Sequence, residues 1–417
     1  MRLLLKSAKI IDKSSPFHLQ TKDILIENGI IKKIANSLKP EPKTKEIALK
    51  NLHISQGWFD TSVCFGEPGF EERETIENGL NTAANSGFTA VAVNPNTNPV
   101  TDHKSAIEYL INKATNFATN LHPIGCLTKG AEGKDIAELY DMQNSGAIAF
   151  GDYNKPIVNT NLLKIGLQYA QNFDALLMSF PQDNSIAGMG LVNEEVNSTK
   201  LGLKGIPALA EELQITRDLF ILEYTGGKLH IPTISTVKSV KLIREAKKKG
   251  LNVTCSVAAH HLILTDDELT KFDANTKVLP PLRTVKDVKA LIKGVLDGTI
   301  DMLTSDHNPI DIEHKKVEYN NAKFGTIGLE SLFGALNNVI EIETLIECLT
   351  TKPRTRFNLK NNSIQEGENA DLTLFNPDFE YQFSEKNILS TSKNSIFLTK
   401  KLNGKTYGII ANNQLIL

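Results

Sequence analysis

At 417 residues the chain is too long for one small core, so a large domain with a smaller companion is expected. Its 41% hydrophobic and 23% charged residues are ordinary for a globular protein, and 46 basic against 48 acidic residues leave a formal net charge of −2. That balance excludes a binder driven by basic charge toward nucleic acid or an anionic membrane. Cysteines at 64, 126, 255 and 348 form no Cys-x-x-Cys pair, which argues against a zinc knot or disulfide framework and for a reducing, cytoplasmic setting. No signal-peptide core or bilayer-length apolar run is present.

Residues 1–55 read as short strands, with Asn28-Gly29 as a hairpin turn because both residues tolerate positive φ. The last stretch repeats the style in Ala370–Phe375 and Thr406–Ile410, with Asn412-Asn413 as a second turn. The two ends, 1–55 and 365–417, are therefore expected to meet as one small β-sandwich domain. Residues 56–364 alternate strands with helices: Phe88–Val93 is a buried strand, Lys104–Thr115 a helix. In the segment 235–250, Ser235 is the expected cap, Val237, Val240 and Ile243 share a face, and Gly250 is the stop. Further strands fall near 147–150, 175–179, 228–231, 251–257 and 301–304. Roughly eight such units in about 250 residues predict a (β/α)8 TIM-type barrel. The absence of Gly-x-Gly-x-x-Gly after the first strand speaks against a doubly wound nucleotide-binding sheet.

In a barrel the polar residues just past each strand face the site. Here they are Asp60, Ser62, Cys64 and Glu67, then Asn94 to Pro99, Asp152, Ser179, His230, His260-His261 and Asp306-His307. Singly, each reads as a turn or core residue; their collection at one end of successive strands points to a site. A hydrolytic zinc site needs imidazole and carboxylate ligands to bring water to a pKa of about 7. Only His230, His260, His261 and His307 fall at strand ends, and none forms a His-x-His pair.

With these landmarks in order, the chain resembles a dihydroorotase of the cyclic amidohydrolase superfamily. The resemblance rests on the segment from Gly57 to Asp102, on "CLTKG" (126–130), "VAAHHLILTDDEL" (257–269), "PPLR" (280–283), "TSDHNP" (304–309), "FGTIGLE" (324–330) and "EGENADLTLFNP" (366–377). It implies a zinc-dependent hydrolase of cyclic amides in de novo pyrimidine synthesis. Asp306 then stands at the general-base position and Asn96 at a substrate-binding one.

Carried over position by position, the pattern is depleted. The resemblance puts metal-binding histidines at Ser62, Cys64, Ser179 and Thr233, an arginine for the substrate carboxylate at Gly66, an asparagine at Leu279 and a histidine at Ile310. Hydroxyls are poor zinc ligands beside imidazole, and glycine removes the bidentate grip of a guanidinium. No bound metal is therefore expected; Asp60, Cys64, Asp152, His230 and Asp306 are the residual candidates for a single mixed-ligand ion. Ser62 and Cys64 lie two apart on one strand and so face one side. What the resemblance implies is a non-catalytic partner of aspartate transcarbamoylase, in a homo-oligomer; the alternatives are an active amidohydrolase with an altered metal site and a binding module for a ring-shaped metabolite.

Overall fold

A computed structural model describes residues 1–417. Eight strands, Trp58–Val63, Phe88–Val93, Asn120–Gly125, Ala149–Phe150, Leu176–Met178, Lys228–Ile231, Val253–Ala258 and Met302–Thr304, pair in that order, each parallel to the next. The ring closes where Val63 bridges His307 and the Cys64 N–H donates to the His307 carbonyl at 2.7 Å. This is the TIM barrel.

Side-chain size sorts the two faces of the barrel wall. In Phe88–Val93, Phe88, Val91 and Val93 join the 54-residue core between strands and helices. Ala90 and Ala92 face a smaller cluster with Phe59, Ile124, Met178, Met302 and Phe357. The two alanines make room for the large side chains that neighbouring strands turn inward, the small/large alternation of a filled barrel. Phe357 closes this inner cluster, its ring edge-on to Phe59 at 5.5 Å and to His230 at 6.0 Å. Asn120–Gly125 is the strand that the pattern least announces, because Pro123 interrupts its apolar run.

Strands from both ends of the chain share one sheet, in the order Gln414–Ile416, Lys401–Ala411, Leu372–Gln382, His53–Gln56, Arg2–Ile10, Thr21–Glu27, Ile30–Ala35, with Lys45–Ile47 also on Arg2–Ile10. The register that joins the ends runs antiparallel from Leu372 opposite Gln56 to Phe375 opposite His53. A 16-residue apolar cluster including Leu3, Ile24, Ile54, Leu372 and Ile410 lies within this sheet domain. Its hairpin turns use positive φ at Asn28 (50°) and Gly29 (77°), and at Asn412 (50°) and Asn413 (56°).

Gly57 is the joint between sheet and barrel. A Cβ there would lie 2.0 Å from the Thr89 hydroxyl and 2.2 Å from an Asp371 oxygen. Arg354 pins the joint by donating to the Gly57 carbonyl (3.1 Å), Thr89 Oγ1 (2.9 Å) and Asp371 (3.0 Å).

One local expectation is corrected. Helix Val237–Lys248 is capped by Thr236, which accepts the Ser239 N–H at 3.1 Å. Ser235 instead gives its hydroxyl and N–H to buried Glu211. A nearby buried carboxylate outcompetes the helix end for that side chain.

Candidate functional site

The first barrel strand brings Asp60, Ser62 and Cys64 to the mouth, all buried. Asp60 accepts the Ser305 N–H at 2.9 Å, the Ser62 N–H at 3.1 Å and the Thr304 hydroxyl. Burial pushes its carboxyl up, against the pull of these donors. Its role is to tie the first strand to the eighth.

At the centre of the mouth is a connected polar network. Asn94 Nδ2 donates to Ser62 Oγ at 3.0 Å and points at Cys64 Sγ at 3.7 Å. Ser62 and Cys64 therefore do face one point. Ser62 Oγ donates onward to Asp306 Oδ1 at 3.1 Å, and the Tyr153 hydroxyl reaches the same oxygen at 3.4 Å. Asp306 is held at φ 48°. Burial raises its carboxyl from 3.8 to about 7, with the Asp60 charge adding to the effect and the Ser62 hydroxyl opposing it. Burial likewise pushes the Cys64 thiol up to about 12, so it is a neutral thiol at physiological pH, not a thiolate ligand. The Asn96 amide lies beside Cys64, with its Oδ1 buried and unpartnered.

The remaining candidates bond to other parts of the chain, although His260 Nε2, His261 Nδ1 and His307 Nε2 are buried without a partner. Asp152 accepts the Thr128 N–H at 3.0 Å and the Thr128 hydroxyl, which fixes the loop after the third strand. His230 has a hydroxyl on each ring nitrogen, Thr254 Oγ1 at 3.0 Å and Ser256 Oγ at 3.2 Å. Burial lowers it to about 3, so it stays neutral. Ser179 donates to Asp218 at 2.6 Å, and the Thr233 N–H donates to Ser256 at 3.1 Å. His261 Nε2 lies 3.0 Å from the Pro280 carbonyl, whereas His307 Nδ1 accepts the Gly328 N–H at 3.1 Å.

The space itself is small. The cavity lined by Ser62, Asn94, Asp152, Tyr153, Phe180 and Thr233 holds about 20 Å³. That is room for about one water molecule, against about 300–1,000 Å³ for a ligand pocket. At Gly66, a Cβ would lie 1.9 Å from the Phe70 carbonyl oxygen, so backbone occupies the place where a longer side chain would begin. Leu279 packs on Ala187, Ile206 and Ala210, and Ile310 is buried. Nowhere in the chain do three His, Cys, Asp or Glu side chains converge as metal ligands. The donor set of this mouth, carboxylates of Asp60, Asp152 and Asp306 that each accept hydrogen bonds from the chain itself, one neutral thiol, hydroxyls and amides, brings no imidazole and does not fit a zinc pair.

Tyr153, Thr254 and Ser256 were not singled out from sequence. Tyr153 directly follows Asp152 in "GDYN", and Thr254 and Ser256 alternate on one strand face beside His230, which is the available signal.

A family model described as dihydro-orotase-like matches residues 53–239. The whole chain aligns with a dihydroorotase of Geotalea daltonii at 36% identity, covering 100% of this chain and 99% of that one. A dihydroorotase of Ruminiclostridium cellulolyticum aligns at 38% identity with the same coverage. The chain belongs to the dihydroorotase family. Among solved structures, an L-hydantoinase (dihydropyrimidinase) from Arthrobacter aurescens superposes with a TM-score of 0.85 at 20% identity, covering 100% of this chain and 97% of that one. A D-hydantoinase (dihydropyrimidinase) from Thermus sp. gives 0.81 at 18% identity, covering 99% and 96%. These likenesses show that the fold is shared. No helix of this dihydroorotase-family chain is long and apolar enough to cross a membrane.

Proposed function

We propose that this dihydroorotase-family protein acts in de novo pyrimidine synthesis without catalysing ring opening, as a structural partner of an aspartate transcarbamoylase. The observation that carries the loss of catalysis is the Asn94–Ser62–Asp306–Tyr153 network. It places direct hydrogen bonds between protein groups where the family's chemistry needs open coordination positions and a substrate. Asp306, the general-base position of the resemblance, is bonded to hydroxyls of its own chain and pushed to about 7. The closed cradle at Gly66 removes the arginine grip on a substrate carboxylate. The partnership rests on the family resemblance and on a protein that keeps the whole fold while its mouth is filled.

The test is metal analysis of protein purified without chelator, a dihydroorotate hydrolysis assay with and without added zinc, and co-purification with the transcarbamoylase of the same cell. Substoichiometric zinc, background turnover and a stable complex are expected. Two tight ions per chain, or turnover that a chelator abolishes, would favour the mixed-ligand enzyme instead. Absence of the complex with no turnover would leave the partnership refuted and the loss of catalysis standing.

A further inference from the structure

The N-terminal ends of the last three barrel strands border a cleft of about 470 Å³ on the face opposite the mouth. Lys228 opens the sixth strand, Thr254 is the second residue of the seventh, and Asp301 precedes the eighth. Helix Thr351–Arg356 adds Lys352, Thr355 and Arg356 to the wall. Met302 is the single apolar residue of the lining, and no aromatic ring reaches it.

Positive charge outnumbers negative here. Lys228 pairs with Asp174 at 2.5 Å, and Lys247 with Asp301 at 2.6 Å. Both nearby carboxylates are thereby used, and Glu347 is held by Lys13 at 3.1 Å. Lys352 is left with the Cys348 thiol, 3.5 Å away. Arg356 gives Nη1 to the Asn252 side chain and Nη2 to the carbonyls of Leu229 (2.7 Å) and Asn252 (3.1 Å), while its buried Nε has no partner. Every other arginine of the chain meets a carboxylate: Glu27, Asp311, Asp218, Asp297, Glu211 or Asp371. Arg356 has only neutral partners, and burial lowers its guanidinium to about 10 although Asp301 and Asp174 oppose this from further off. Charge removed from water is costly unless it is paired. Two cations four residues apart on one helix therefore share a cleft without a counter-charge of their own.

We propose that this cleft binds a phosphate group, free or carried by a small polar phosphomonoester, with Lys228, Lys352 and Arg356 supplying charge and Thr254 and Thr355 supplying hydroxyls. Two uncompensated cations match the charge of about −2 on such a group, and hydroxyl and ammonium donors suit its oxygens. The volume falls within the about 300–1,000 Å³ of small-molecule sites, and the lack of a stacking ring speaks against a nucleobase. The site does not depend on the reading of the barrel mouth.

Thr254 Oγ1 also lies 3.0 Å from His230 Nδ1. Its single proton serves one acceptor at a time. Once that proton goes to a phosphate oxygen, Nδ1 has to donate to Thr254, and Ser256 has to donate to Nε2. Phosphate in the cleft thus selects the Nδ1-protonated tautomer of His230.

The test is calorimetric titration of the full chain with inorganic phosphate and with glycerol phosphate, for wild type, Lys352→Glu and Lys33→Glu. Lys33 is an exposed lysine of the terminal sheet, so its replacement changes net charge equally. Saturable binding at one phosphate per chain is expected, weakened by about 10-fold or more in Lys352→Glu and unchanged in Lys33→Glu. Tighter binding of the ester would assign the site to a phosphorylated metabolite and equal binding to the free ion; either upholds it. Without phosphate, Lys352→Glu is expected to melt no lower than wild type, because an acid four residues before Arg356 supplies the missing charge itself. Phosphate is expected to raise the melting midpoint of wild type and not of that variant. The ring nitrogen resonances of His230 are expected to move toward the Nδ1-protonated form on titration. No saturable binding of either probe, or binding that Lys352→Glu leaves intact or Lys33→Glu weakens as much, would overturn the proposal. So would a His230 ring that phosphate leaves unchanged.

Discussion

Replacing Asp306 by asparagine tests the energetics of the mouth directly. Asp306 is 6% exposed, receives two hydroxyl donors on Oδ1, and titrates near 7 in the fold against 3.8 when unfolded. Between those values the folded state holds a proton that the unfolded state has lost, so stability falls as pH rises from about 4 to 7 and is then level. At about 1.4 kcal/mol per unit of pKa, the ionised carboxylate costs the fold on the order of 4 kcal/mol above pH 7. Asparagine keeps an Oδ1 acceptor for Ser62 and Tyr153, tolerates the positive φ, and carries no charge. Asp306→Asn is therefore expected to be more stable than wild type at pH 8, with an advantage about 3 kcal/mol larger there than at pH 5. Urea unfolding of both proteins at those pH values measures this. Parallel stability profiles, or a variant less stable at pH 8, would refute the account of a buried carboxylate opposed by its surroundings.

Three further outcomes follow from the same geometry. Ser62→His with Cys64→His adds two imidazoles to a cavity of about 20 Å³, so it is expected to destabilise by about 1–3 kcal/mol and to gain zinc affinity only when combined with Tyr153→Ala; zinc titration of both variants decides this. Gly66→Ala is expected to cost at least about 2 kcal/mol, because its Cβ meets the Phe70 carbonyl at 1.9 Å, and unchanged thermal stability would show that this loop yields. Phe357→Ala opens the inner barrel cluster and is expected to cost about 3–5 kcal/mol in urea unfolding, with a smaller loss meaning that Phe59 and His230 close the gap.

Local chemistry made much of the fold readable from the amino acids alone. Asn28-Gly29 and Asn412-Asn413 announce turns because few other residues accept positive φ. Phe88–Val93, Lys228–Ile231 and helix Val237–Lys248 are visible because burial imposes a period on the sequence. That Ser62, Cys64, Ser179 and Thr233 are hydroxyl and thiol residues rather than imidazoles is likewise written in residue identity, whereas their standing as ligand positions is only what the family resemblance implies. The mouth network was not readable, since residues 62, 94, 153 and 306 become neighbours only when the barrel closes and brings its first and eighth strands together. The same closure hands Asp152 to Thr128, Ser179 to Asp218 and Ser235 to Glu211. A side chain's type limits what it can bond, whereas the choice among partners depends on which donors and acceptors the tertiary fold desolvates together.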